Sequence, residues 1–212
     1  MTVRIGLTGP IGCGKSTVAG WLAERTGVVA VDADEVAREV LAADTPQVEA
    51  VFARFGDAVR SADGSLDRHA LGRIVFTDPH ALRDLESIVH PAVRPRILAA
   101  LAGAEDDGAE AVIIEAIKLV EGGLADLCDE VWLVTCDPAV QTGRLVGRGS
   151  DPTDAAARIA AQGDIVARLT PRATRVIDTS GPVPATRALV LAALEDALEE
   201  ALEPGSRGVG TG

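Results

Sequence analysis

The sequence predicts an α/β fold: a parallel sheet covered by helices on both faces. Three observations carry that expectation. Short β-rich runs alternate with helical stretches, a glycine-rich loop joins the first strand to the first helix, and the chemically capable polar residues fall where strands end. Ligands of such sheets bind at those carboxyl ends. Apolar residues make up 47% of the 212 positions, enough for one core with a lid or small insertion.

Residues 4–8 form a short β-rich run, and glycines follow it. Residues 16–25 have helical spacing, with Val18, Trp21 and Leu22 on one face and Gly27 as the stop. Residues 28–31 read as a second, buried strand with Asp32-Ala33-Asp34 at its end. Strand, helix and strand with short links make a βαβ unit, which demands parallel strands and a right-handed crossover. Residues 35–101 are helical in pattern, with breaks at Pro46, Gly56, Asp63-Gly64 and Pro79, and are expected to form a helical insertion. Residues 111–114 and 130–135 are apolar runs of strand length, the first preceded by a polar loop at 105–110. Asp137-Pro138 opens a helix bearing Arg144 and Arg148, residues 149–154 have turn chemistry, and a second helix runs to about Arg168. Residues 176–178 form the last strand. The final helix aligns Leu191, Leu194, Leu198 and Leu202 in one stripe. Residues 1–203 are expected to form one domain, with a tail at 204–212 expected to be disordered.

Twenty basic against thirty-two acidic side chains give a net charge of −12, which argues against nucleic acid and membrane surfaces as partners, because both present phosphate. No apolar run reaches the roughly 18 residues of a spanning helix, and the first residues show no signal-peptide layout. Cys13, Cys128 and Cys136 show no CxxC spacing, which fits a reducing cytoplasm and no zinc site. His69, His80 and His90 likewise lack metal-ligand spacing.

The sharpest signal is Gly9-Pro10-Ile11-Gly12-Cys13-Gly14-Lys15-Ser16, which satisfies G-x-x-x-x-G-K-[ST]. Glycines let the backbone curl so that successive N–H groups converge on a phosphate, and the following helix adds its positive end. Lys15 is placed to reach the β- and γ-phosphates of ATP, and the Ser16 hydroxyl to ligate Mg²⁺. The expected nucleotide set is Gly9, Ile11, Gly12, Cys13, Gly14, Lys15, Ser16 and Thr17, together with Arg144 and Arg148. An accidental glycine turn is the alternative, but Lys15 is one of only two lysines beside eighteen arginines. The chain has no asparagine, so it lacks the guanine-reading NKxD motif of switch GTPases. It is also short for a motor or transporter ATPase, and its size and helical insertion fit a small-molecule kinase.

A kinase acting on a hydroxyl needs an acceptor for its proton. Asp34 is the candidate base, expected at the end of the second strand beside the cradle; the alternative is that Asp34 or Asp32 caps the following helix. Arg144 and Arg148, spaced i, i+4 before a flexible Gly149-Ser150-Asp151-Pro152 turn, have the layout of a lid that neutralises the transferring group. Two solvated arginines paired with carboxylates are the plainer alternative. Arg158 and Arg168 are further candidates. Lys118 either pairs with Glu115 or Glu121 or touches substrate. Cys13 could be an oxidation-sensitive thiol, since helix N-termini lower thiol pKa.

With these residues in place, the chain resembles the dephospho-CoA kinase family over most of its length. The resemblance rests on Ile5-Gly6-Leu7-Thr8-Gly9 running into the cradle, Asp32-Ala33-Asp34, Phe55-Gly56, Asp63-Gly64 before Leu66-Asp67-Arg68, Val75-Phe76, and Leu85-Glu86 leading to His90-Pro91. It continues with Arg144, Arg148 and Gln162. It implies a P-loop NTPase three-layer fold with a helical substrate region at about 35–101 and a lid at about 143–168. It implies transfer of the ATP γ-phosphate to the ribose 3′-hydroxyl of dephospho-CoA, Asp34 as base, Arg144 on the transferring group, and Arg68 and His90 where the acceptor binds. Three departures stand out. The D-x-P-L-L-x-E stretch reads Glu115-Ala116-Ile117-Lys118-Leu119-Val120-Glu121, an aspartate and asparagine near the last strand are replaced within 173–179, and Pro10 stands for a glycine. The competing readings are another small-metabolite kinase, such as a shikimate kinase-like enzyme, and a nucleotide-binding regulator without transfer activity. Either a monomer or a small homo-oligomer fits.

Overall fold

A computed structural model of the chain describes residues 1–203; the tail expected at 204–212 lies outside the described residues. Two compact units make it up, one formed by Met1–Val31 with the chain from Gly103 onward, the other by Asp32–Ala102.

The first unit is built on strands β1 (Val3–Thr8), β2 (Val28–Asp32), β3 (Ala111–Glu115), β4 (Glu130–Thr135) and β5 (Arg175–Asp178). They form one parallel sheet in the order β2-β3-β1-β4-β5. β1 pairs with β3 from Val3↔Ala111 to Leu7↔Glu115 and with β4 from Ile5↔Glu130 to Thr8↔Leu133. Successive strand residues face opposite ways. Trp132 and Val134 therefore join Ile5, Leu7 and Ile113 under helices α1 (Lys15–Ala23) and α9 (Val183–Leu202). Leu133 turns to the other face, against Ile165 and Leu169 of α8 (Ile165–Leu169). Burial on both faces explains why β1, β3 and β4 read as apolar runs.

Four expectations need correction here. β2 is an edge strand with Val29 and Ala30 exposed, and β3 lies between it and β1, so the strand leading to Asp34 is not the neighbour of the cradle strand. The polar loop expected at 105–110 starts later, because a long helix runs to Asp106. The helix expected to reach Arg168 is two helices, α7 (Pro152–Gln162) and α8, parted at Gly163, whose φ of 57° ends the first. α9 buries Thr186, Val190, Ala193, Leu194 and Ala197, while Leu202 is 78% exposed. The buried row is richer in small residues than the leucine stripe because α9 packs against α1, and alanines allow a close approach.

The second unit holds α2 (Ala33–Val40), α3 (Pro46–Phe55), a 3-10 turn (Gly56–Val59), α4 (Arg68–Thr77) and most of α5 (Pro79–Asp106). The predicted breaks are its boundaries: Pro46 and Pro79 open helices, Gly56 takes φ 70° at the end of one, and Asp63-Gly64 turns the chain under a single Arg60–Leu66 bridge. Asp32, Thr45 and Asp67 cap α2, α3 and α4 by accepting backbone N–H bonds. Val48, Val51, Phe52, Val59, Leu71 and Val75 are buried in this unit.

Candidate active site

The loop between Thr8 and Lys15 can curl only because three of its residues are glycines. Gly9, Gly12 and Gly14 take φ of 143°, 79° and 89°. A Cβ at Gly9 would stand 2.1 Å from the Val134 carbonyl oxygen, so the loop passes over β4 too closely for any side chain. Gly14 is the N-cap of α1 and no side chain caps that helix, which leaves its first-turn amides for an anion. Lys15 is 7% exposed, and its Nζ donates to the carbonyls of Gly9 (3.0 Å) and Pro10 (3.2 Å). A positive charge is thus held inside the curl.

The Ser16 hydroxyl donates to Glu115 Oε1 at 2.6 Å. Register explains the pairing: Glu115 is the last residue of β3, opposite Leu7 of β1, and so it emerges beside the start of the loop. The sequence offers Glu115 only as a partner for Lys118 and as the start of the departing stretch, not as a partner of Ser16. Only the strand order shows that β3, not β2, flanks the cradle.

On the other side, α6 (Pro138–Gly147) carries Arg144, with Arg148 as its C-cap residue. Arg144 Nη1 donates to Thr179 Oγ1 (2.8 Å) and Nη2 to the Thr179 carbonyl (2.6 Å). The Thr179 hydroxyl is 2.7 Å from the Cys13 carbonyl and 3.1 Å from that of Thr135. Gly14, Thr17, Trp21, Arg144, Arg148 and Thr179 line part of one cavity of about 270 Å³. Both arginines therefore open onto the mouth of the cradle. Beside Thr179, the Ser180 hydroxyl and amide hold the Asp178 carboxyl below its ordinary range, with Arg144 adding to the effect.

Ile11, at the crest of the loop, is gripped from two helices. Its N–H donates to Gln162 Oε1 of α7 (2.9 Å), and its carbonyl accepts from Gln141 Nε2 of α6 (2.7 Å). Gln162 was marked only by the family resemblance, and Gln141 and Thr179 were not marked at all, since hydroxyl and amide side chains without a motif carry no signal of their own.

The structure moves Asp34 and Cys13 from their expected settings and gives the positions of the other candidates. Asp34 does not end β2; it lies exposed in the first turn of α2, and the capping carboxylate is Asp32, which accepts from the amides of Asp34 (2.8 Å) and Glu35 (3.1 Å). Arg68 starts α4, and its Nη2 bonds the carbonyls of Arg38 (2.8 Å) and Leu41 (3.1 Å) at the end of α2. His90 is exposed on α5. Lys118 is exposed although its neighbour Leu119 is fully buried, and Glu121 pairs with Arg168 at 3.6 Å. Cys13 is not a free thiol: it is disulfide-bonded to Cys136. The absence of CxxC spacing points to reduced cysteines, and a pair 123 residues apart in sequence leaves no local signal.

A glycine-rich phosphate cradle on a five-stranded parallel sheet, with a helical unit inserted after the second strand, defines the protein as a P-loop kinase by fold. Within that class, the model of the dephospho-CoA kinase family matches residues 3–184, and the chain belongs to that family. A dephospho-CoA kinase of Symbiobacterium thermophilum is 45% identical over 190 residues, covering 89% of this chain and 79% of that one. One of Moorella thermoacetica is 45% identical over 206 residues, covering 95% and 96%. The crystal structure of TT1252 from Thermus thermophilus superposes with a TM-score of 0.77 at 33% identity, covering 92% of this chain and 97% of that one.

Proposed function

We propose that the chain moves the γ-phosphoryl group of ATP to the ribose 3′-hydroxyl of dephospho-CoA, giving CoA and ADP, the last step of coenzyme A synthesis. The observation that carries this reading is the family match across the cradle and the helical unit together. Cradle amides from Gly9 to Thr17 hold the phosphates, and Lys15 exchanges its backbone carbonyls for their oxygens. Arg144, held by Thr179, places its guanidinium against the charge that spreads over the transferring group, and Arg148 adds a second positive charge at the mouth. The Asp34 carboxylate takes the proton of the attacking hydroxyl. Asp32, not Asp34, supplies the capping carboxylate of α2, which supports this role for Asp34. Arg68 and His90 belong to the unit assigned to the acceptor.

Hard oxygen donors at the cradle suit Mg²⁺, and the Ser16 hydroxyl beside the Glu115 carboxylate supplies two of them. The ion, when bound, neutralises phosphate charge. Glu115 meanwhile orients the Ser16 hydroxyl. The net charge of −12 supports small-molecule partners over nucleic acid. Dependence on ATP supports a cytoplasmic setting, with the chain as a monomer or small homo-oligomer. Among the described residues, no helix is long and apolar enough to cross a membrane.

The test is ADP release with MgATP against dephospho-CoA, shikimate, gluconate, adenosine and CMP. Turnover with dephospho-CoA far above the others is expected. Turnover with another acceptor alone contradicts the reading, and ATP binding without turnover on any acceptor favours a regulator.

A further inference from the structure

Two sulfurs meet at the base of the cradle. Cys13, one residue before the N-cap of α1, is 1% exposed and bonded to half-buried Cys136, the first residue after β4. Their Cα atoms are 5.2 Å apart, a span that a disulfide bridges without moving the backbone. Topology brings them together: β1 and β4 are parallel neighbours, so the cradle and Cys136 leave the sheet side by side. The Cys13 carbonyl also accepts from Thr179, the residue that holds Arg144. A covalent link here acts on the groups assigned to the triphosphate.

We propose that Cys13 and Cys136 are a reversible exchange site for low-molecular-weight thiols and disulfides, whose state sets how tightly the cradle holds nucleotide. The affinity half rests on the nucleotide reading above; the exchange half does not. In the reducing direction a small thiolate attacks Cys136 Sγ, the more accessible sulfur. The S–S bond breaks and its electron pair leaves on Cys13 Sγ, which takes up a proton. A second small thiol attacks the mixed disulfide, freeing Cys136 and releasing the small disulfide. Two small thiols are oxidised, one protein disulfide is reduced, and their two protons end on Cys13 and Cys136. Oxidation is the reverse, with the small disulfide as oxidant. Dephospho-CoA and CoA each carry such a thiol. Disulfides in reducing compartments are characteristically transient in this way. Cys128 stays outside the exchange, since burial pushes its thiol up to about 12.

The direction of the effect follows from freedom. The disulfide ties the loop at one point, so the oxidised cradle has less freedom to lose when phosphate binds. Reduction frees the loop. The oxidised form is therefore the tighter binder, and reciprocity requires that nucleotide protect the disulfide by the same factor.

The full chain, equilibrated without nucleotide over a series of reduced-to-oxidised glutathione ratios, is trapped with a maleimide and its cysteine peptides weighed. A reversible transition of Cys13 and Cys136 is expected, with Cys128 constant. Calorimetry with MgATP is expected to show binding about fivefold or more tighter in the oxidised form, a difference absent in Cys136→Ala. Saturating MgATP should shift the glutathione midpoint towards more reducing ratios by the same factor. The wild-type titration needs no variant, so a poorly folding Cys136→Ala leaves the test intact. Thiols at both positions throughout overturn the exchange site, and equal affinity in both states overturns its effect on the cradle. A failure to bind MgATP in either state refutes the nucleotide reading and the affinity half with it.

Discussion

Thr179 joins three parts of the site through one side chain, taking Arg144 Nη1 and lying within hydrogen-bond reach of the Cys13 and Thr135 carbonyls. A guanidinium fixed this way needs no reorganisation when charge develops nearby. Arg144→Ala is therefore expected to lower kcat by about 10²–10³, with a smaller change in KM, in steady-state assays. A change confined to KM would make Arg144 a binding residue only. Asp34→Asn is expected to lower kcat by about 10²–10⁴ while MgATP affinity measured by calorimetry stays unchanged. Wild-type activity in that variant would remove Asp34 from the chemistry. Lys15 and Ser16 were legible in the sequence because the motif fixes their geometry locally. Glu115 needed the strand register, Thr179 needed the position of α6, and the Cys13–Cys136 pair needed both strand ends at once.

Among the elements, the loop before α1 depends on close approach to β4. Gly9→Ala would drive a methyl into the Val134 carbonyl at a backbone angle that favours glycine, and is expected to destabilise the fold by at least about 2 kcal/mol in urea unfolding. α6 and α7 meet this loop through Gln141 and Gln162, which hold Ile11 by its carbonyl and its amide. Gln162→Ala leaves α7 without its grip on the loop. More ADP per CoA formed is expected, because water reaches the transferring group, with a melting temperature close to wild type. An unchanged ADP-to-CoA ratio would make the contact purely structural. Helix breaks were readable at Pro46, Gly56 and Pro79, but the one at Gly163 was not. The buried face of α9 was not, because alternative stripes on an apolar helix are separated only by what packs against them. Within the segment expected to form the lid, Ile165 packs with Leu169 against Leu133 of the sheet, a contact that only the fold shows.

For the molecule as a whole, thirty-two acidic and twenty basic residues leave a long-range field that disfavours phosphate, so affinity must be made locally. Many arginines are occupied elsewhere: Arg175 pairs with Glu130, Asp196 and Glu200, and Arg25 with Glu110 and Glu195. Lys15, Arg144 and Arg148 are instead gathered around the cradle and its cavity. The fold class and the phosphate site were legible because alternation of strands with helices and one eight-residue motif determine them. The acceptor was legible only through resemblance, since a P-loop kinase fold serves many hydroxyl acceptors. The most direct measurement is a single turnover with MgATP labelled with heavy oxygen in its γ-phosphoryl group and with unlabelled dephospho-CoA, read by mass spectrometry and phosphorus NMR. The account predicts CoA carrying the label in its 3′-phosphate. Label found only in free phosphate, with dephospho-CoA unchanged, would contradict it.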